Sequence, residues 1–162
     1  MNIIISTPDL SDQFDQHVNI VEPLFKHYGN LKQGYGQITT IDCFEDNSLV
    51  AEQVKLPGEG RILVIDGGAS LRYSLLGDQL TEKAIHNGWS AILINGSLRD
   101  VEIISSMSLV VLALASIPRK TIKLGKGSLN VPVSFAGVTF KPNHHLFIDE
   151  TGILVSEKNL LA

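Results

Sequence analysis

The sequence predicts an α/β fold in a single domain, residues 1–162, built on a central βαβ core. Three observations carry that reading. Two short uncharged runs, Ile62–Ile65 and Ala91–Ile94, have the β-branched character of strands covered on both faces. Between them, Leu80, Ala84 and Ile85 share one face of a helix that ends near Gly88. Strand, helix and strand then fit within about thirty residues, which is βαβ spacing.

The bulk numbers agree with one globular domain. The chain has 162 residues, 44% of them hydrophobic and 19% charged, enough for one core and too few to expect two. A net charge of -4, with no run of Lys or Arg, offers nucleic acid no direct electrostatic footprint. The single Cys43 excludes an internal disulfide and a cysteine-based metal cluster. MNIIISTPDL lacks the basic and apolar regions of a signal peptide, and no apolar run reaches the roughly 20 residues of a membrane helix. A soluble cytoplasmic protein without membrane contact is expected.

Taken in order, residues 1–30 read as helical with loops. Ser6 caps a helix with Pro8 in its first turn, Leu10 and Phe14 share a face, and Leu24, Phe25 and Tyr28 cluster before Gly29. Gln37–Phe44 alternates as a strand with one covered face, and 48–55 reads as a short helix. Asp66-Gly67-Gly68 and Asn95-Gly96 close the two central strands. Gly67-Gly68 fits neither GxGxxG nor a P-loop, and its small residues suit a close backbone approach. A short helix is expected within 101–107, a buried strand over 109–114 and an exposed connection over 116–130. Strands around Gly137 and a closing hairpin, 146–148 with 153–155, complete several antiparallel strands wrapped round the core.

Polar residues gather where the central strands exit, the place where open α/β sheets bind ligands. Arg99 presents a planar fork suited to a carboxylate or an enolate oxygen. Asp100 beside it suits a hard cation such as Mg²⁺, which takes one or two protein carboxylates and keeps several waters. Asp78 follows Gly77, so the N–H groups from Gly77 to Leu80 can meet an anion at a helix start. Each feature also has a plain structural use: an Asp after Gly serves as an N-cap, and an Arg-Asp pair forms a weak surface ion pair.

Asp78, twenty intervening residues and Arg99-Asp100 reproduce the D-x20-R-D signature of the class II 4-hydroxy-4-methyl-2-oxoglutarate aldolases. VIDGG, GVTFKPNHHLFIDETGILVS, VNIVEPLFKHYG and QITTIDCFEDN resemble the wider family that includes the regulator of ribonuclease activity A. The resemblance spans essentially the whole chain. It implies a β/β/α swivelling-type sandwich, assembled as a homotrimer with sites at subunit boundaries. It further implies that Gly77, Asp78, Gln79 and Leu80 bind the substrate carboxylate, and that Arg99 binds substrate and stabilises an enolate. Asp100 would ligate Mg²⁺ or Mn²⁺, with Asp78 acting through a water of the cation and helping to deprotonate the C4 hydroxyl.

The implied reaction cleaves 4-hydroxy-4-methyl-2-oxoglutarate to two pyruvates, with oxaloacetate decarboxylation through a shared pyruvate enolate. Family members without lyase activity have lost the aspartate after the arginine, and this chain keeps Asp100. An acidic residue that the longer aldolases borrow from a neighbouring subunit has only positional candidates here, Glu150 and Glu157. The family's Pro-Gly-Asp turn appears as Pro142-Asn143-His144. The alternative implied by the same resemblance is a non-catalytic inhibitor that binds the endoribonuclease E.

Overall fold

The computed structural model describes residues 3–162. In chain order the elements are α1 (Thr7–Gln13), β1 (Val18–Ile20), β2 (Lys26–His27), β3 (Gly34–Asp42), α2 (Ser48–Val54), β4 (Ile62–Asp66), α3 (Asp78–His86) and β5 (Ala91–Leu98). They continue as α4 (Val101–Ile104), β6 (Val110–Ser116), β7 (Ser128–Leu129), β8 (Val133–Phe135), β9 (Val138–Phe140), β10 (His145–Ile148) and β11 (Ile153–Ser156). One sheet runs β1-β11-β10-β3-β4-β5-β6-β2, with β7 beside β3, and β8–β9 forms a separate hairpin. β3, β4, β5 and β6 pair in parallel, so the predicted βαβ unit sits at the centre.

Burial on both faces explains why these strands carry no polar alternation. Leu63, Ile65, Ile92 and Ile94 face a layer holding Val50 and Val54 of α2, Ala84 of α3 and Ile104 of α4. Ile62, Val64, Ala91 and Leu93 point the other way, onto Phe140, Leu146, Ile148 and Val155. The period of two thus sorts one continuous apolar run between two cores. Each fully buried Ile or Leu contributes about 1.5–3 kcal/mol relative to exposure. The result is a layer of helices, the parallel sheet and a second β layer, as the resemblance implied. A smaller cluster of Leu10, Phe147 and Leu154 seats α1 on the hairpin, with Ser6 Oγ accepting from the Asp9 N–H at 3.3 Å as its cap.

Two expectations need correction. Residues 15–30 are not helical beyond a single 3₁₀ turn at Asp15–His17; Val18–Ile20 pairs antiparallel with Ser156–Leu154, and Lys26–His27 with Ala113–Leu112. Asn95-Gly96 does not end the second central strand either. The pairing shifts register between Ile94 and Ser97, and β5 runs on to Leu98. The extension finds partners on both sides: the Leu75 N–H donates to Ser97 O at 2.9 Å, and the Ile117 N–H to Leu98 O at 2.9 Å. This bulge carries the chain forward to Arg99 and Asp100.

Candidate active site

Two segments converge at the end of β5. The chain leaving β4 passes along the β5 extension and enters α3 through Gly77. Its course is tied down by buried polar groups: Thr121 Oγ1 donates to Asn47 Oδ1 at 2.7 Å, and Asn47 Nδ2 donates to Leu75 O at 3.1 Å. On the outer side, Arg72 bonds both oxygens of Glu45 at 2.6 and 2.7 Å. With the Ser70 hydroxyl it holds the Glu45 carboxyl below its ordinary range.

Gly77 is the N-cap of α3, with φ -130° and ψ -171°, and Asp78 is the first helical residue. The first intrahelical bond runs from the Thr81 N–H to Gly77 O at 3.1 Å, reinforced by Thr81 Oγ1 on the same oxygen at 2.8 Å. The N–H groups of Gln79 and Leu80 precede Thr81 and have no acceptor within the helix. They point from the positive end of the helix toward whatever anion meets it.

Arg99 and Asp100 close over that end. The Arg99 N–H donates to Leu76 O at 2.9 Å, which fixes the pair one residue from Gly77. Asp100 takes the left-handed conformation, φ 60° and ψ 40°, tolerated by Asp and by few other side chains. It stands at the N-cap position of α4, yet its side chain makes no cap bond there. The carboxylate instead crosses to α3, where Oδ2 accepts the Asp78 N–H at 3.0 Å. Arg99 Nε lies 4.0 Å from the same oxygen, and the two side chains are 41% and 31% exposed, open to a ligand. A Cβ at Gly77 would meet Asp100 Oδ2 at 2.7 Å, so glycine is required for this approach.

The sequence-predicted residues Gly77, Asp78, Gln79, Leu80, Arg99 and Asp100 therefore lie together. The plain reading of Asp78 as an N-cap gives way, because Gly77 takes that position and no side-chain cap bond is made. The plain reading of Arg99-Asp100 as a weak surface pair fits the 4.0 Å separation. Among the described residues no three His, Cys, Asp or Glu side chains gather into a metal-binding group. Two carboxylates, one with an oxygen directed at a positive helix end, still match a cation that keeps most of its waters. Glu150 and Glu157 are not part of the group: they flank β11, which is separated from β5 by β10, β3 and β4. A groove of about 830 Å³ lies elsewhere, between β1 and the β8–β9 hairpin. Sequence reasoning missed Asn47 and Thr121, which together position the Leu75 backbone ahead of Gly77.

The family model RraA-like (Aldolase/RraA) matches residues 7–155. A protein of Ectopseudomonas mendocina named "Putative 4-hydroxy-4-methyl-2-oxoglutarate aldolase" is 57% identical over 154 residues, covering 95% of each chain. One of the same name from Azotobacter vinelandii is 52% identical, again over 95% of each. Among solved structures, the RNA-processing inhibitor RraA from Thermus thermophilis superposes with a TM-score of 0.93 at 36% identity, over 96% of this chain and 94% of that one. A protein from Geobacillus kaustophilus, described as an S-adenosylmethionine: 2-dimethylmenaquinone methyltransferase, superposes at 0.95 with 38% identity, over 97% and 98%.

Proposed function

The chain belongs to the RraA-like family, and from that premise we propose that it is a divalent-metal-dependent carbon–carbon lyase of the cytoplasm acting on small 2-oxo acids. The substrate we assign is 4-hydroxy-4-methyl-2-oxoglutarate, the compound in its relatives' name. The observation that carries the proposal is the Asp100 carboxylate held on the N-terminus of α3 with Arg99 beside it.

Asp100 would be the residue that holds Mg²⁺ or Mn²⁺ directly, and Asp78 would act through a water of the cation. The cation would supply Lewis-acid polarisation of the 2-oxo group. The Asp78 N–H is already given to Asp100, which leaves the Gln79 and Leu80 N–H groups for the substrate carboxylate. Gly77 keeps their approach open. Asp78 takes the proton of the C4 hydroxyl, and the freed electron pair forms the carbonyl of one pyruvate. The C3–C4 bond breaks with its electrons passing into the C2–C3 enolate of the other half. Arg99 stabilises the enolate oxygen, and C3 then takes a proton to give the second pyruvate. Oxaloacetate reaches the same enolate by losing its C4 carboxylate as CO₂.

The proposal includes a homotrimer with sites at subunit boundaries, where Glu150 or Glu157 of a neighbouring copy adds an acidic group. Exposed apolar residues support it: Phe44, Leu71, Ile103 and Ile122 all follow carboxyl ends of the parallel strands. Gel filtration with light scattering reads the assembly.

Pyruvate release from both acids, coupled to lactate dehydrogenase, tests the chemistry. Turnover with Mg²⁺ that EDTA abolishes is expected. Turnover no greater than that of the free metal ion would leave a second reading, an inhibitor of the endoribonuclease E. That reading is favoured by the similarity to the Thermus inhibitor of RNA processing. The methyltransferase description of the Geobacillus neighbour finds no support here: the turn leaving β3, Cys43–Asn47, contains no glycine with which to approach a nucleotide.

A further inference from the structure

Resting on that reading of the site, we propose that Asn47 is a positioning residue for it. Its buried amide sets the Leu75 peptide and, through Leu76 and Gly77, the helix start where the substrate carboxylate binds. Asn47 stands at the N-cap position of α2, yet its side chain makes no cap bond there. That work falls to Asp46, whose Oδ1 accepts the Ser48 N–H at 2.9 Å and the Ser48 hydroxyl at 2.6 Å. The Asn47 amide serves two distant segments instead. Its Oδ1 accepts the Thr121 hydroxyl at 2.7 Å, and its Nδ2 donates to Leu75 O at 3.1 Å. Asn47 and Thr121 are 8% and 5% exposed, so water competes little for either bond.

Both polar groups of Leu75 are thereby held, the N–H on Ser97 O at 2.9 Å and the carbonyl on Asn47. Leu76 O comes next and takes the Arg99 N–H and the Ser74 hydroxyl, each at 2.9 Å. Gly77 O then opens α3 by accepting from Thr81. The carbonyls of Leu75, Leu76 and Gly77 are all fixed just ahead of the Gln79 and Leu80 N–H groups. Asn47 reaches them from the connection between β3 and α2, which Asp46 ties to the Thr121 segment by accepting the Leu124 and Lys126 N–H groups. Asp100 follows β5 directly and is not carried by Leu75. Loss of the Asn47 amide should therefore loosen the hold on a carboxylate and spare the hold on a cation.

The test titrates the full-length protein by calorimetry with Mn²⁺ and then with oxalate, a planar dianion that imitates the pyruvate enolate. Asn47→Ala removes both side-chain bonds. Oxalate affinity should fall roughly tenfold or more while Mn²⁺ affinity stays within about threefold, a split that a general loss of folded protein would not give. Asn47→Asp keeps the acceptor for Thr121 but sets a second oxygen against Leu75 O. Relative to the parent, its oxalate affinity should fall by roughly tenfold at pH 8. It should recover at pH 5.5, because a buried carboxyl there takes up a proton and donates it to Leu75 O. Asn47→Ala should show no such recovery. If Asn47→Ala fails to fold, the aspartate variant decides, since a charge acting through space would tighten Mn²⁺ as it loosened oxalate. Parent-like oxalate binding by either variant at pH 8, or equal losses of oxalate and Mn²⁺, would overturn the inference and leave the proposed lyase standing. A parent that binds no oxalate in the presence of Mn²⁺ would overturn the site reading and this inference together.

Discussion

The carboxylate of Asp100 accepts the backbone N–H of Asp78 at 3.0 Å, across 22 residues of sequence. One side chain thus caps a helix that is not its own and keeps a second oxygen for another partner. Arg99 and the first turn of α3 share this anchor, so geometry and charge at the site depend on the same carboxylate.

Gly77→Ala tests how tightly the anchor is built. The added Cβ would fall 2.7 Å from Asp100 Oδ2, so the carboxylate must swing off the helix end. A glycine N-cap replaced by alanine also costs up to about 1 kcal/mol. Mn²⁺ affinity, read by calorimetric titration, is expected to fall roughly tenfold or more, as for lost support of a metal ligand.

Arg99→Ala should separate function from stability. A pair at 4.0 Å with both side chains partly exposed contributes little to folding. The melting temperature is expected to stay within about 2 °C of the parent, consistent with a loss below roughly 0.5 kcal/mol. Pyruvate release should fall on the order of 100-fold or more, the scale of a lost charge stabiliser.

Asp46 predicts an acid limit to stability. Burial pushes its carboxyl up, but bonds from the Ser48 hydroxyl and N–H and from the Lys126 and Leu124 N–H groups outweigh burial and hold it at about 2. A folded value below the ordinary 3.8 stabilises the fold above that pH, and the benefit is lost as pH falls through about 2. The difference corresponds to about 2 kcal/mol. Asp149, held low by Thr7, Gly152 and Thr151 against its own burial, adds in the same direction. Urea unfolding at pH 5, 3 and 2 should show the parent losing this margin and Asp46→Asn starting without most of it.

Cys43 should be chemically silent in the folded protein. It is 2% exposed, and burial together with Asp42, Asp46 and Asp66 pushes its thiol up to about 12. At pH 8 the thiolate is scarce as well as shielded. Labelling with a thiol-specific disulfide reagent should proceed only after unfolding, with one thiol released per chain.

What was legible in the sequence follows from how locally each feature is determined. Ile62–Ile65, the apolar face of α3 and Ala91–Ile94 declare themselves through their own spacing. Ser6 and Pro8 mark the start of α1 within a few residues. Val18–Ile20 does not declare itself, because three residues become a strand only when Ser156–Leu154 arrives from the far end of the chain. Asn95-Gly96 is a turn signal overridden by the segment that pairs with Ser97. The residues of the candidate site were singled out by the D-x20-R-D spacing. The left-handed backbone of Asp100 and the Asn47–Thr121 bond were not, since both depend on contacts between distant segments.

The most direct measurement is Asp100→Asn, assayed for Mg²⁺-dependent pyruvate release and for thermal unfolding in the same preparation. Asparagine keeps an oxygen able to accept the Asp78 N–H but loses the charge proposed to hold a cation. The account predicts that metal-dependent turnover falls by on the order of 100-fold or more while the melting temperature shifts by only a few degrees. Turnover that survives the substitution would contradict the assignment of Asp100 as the metal ligand and leave it a helix cap alone.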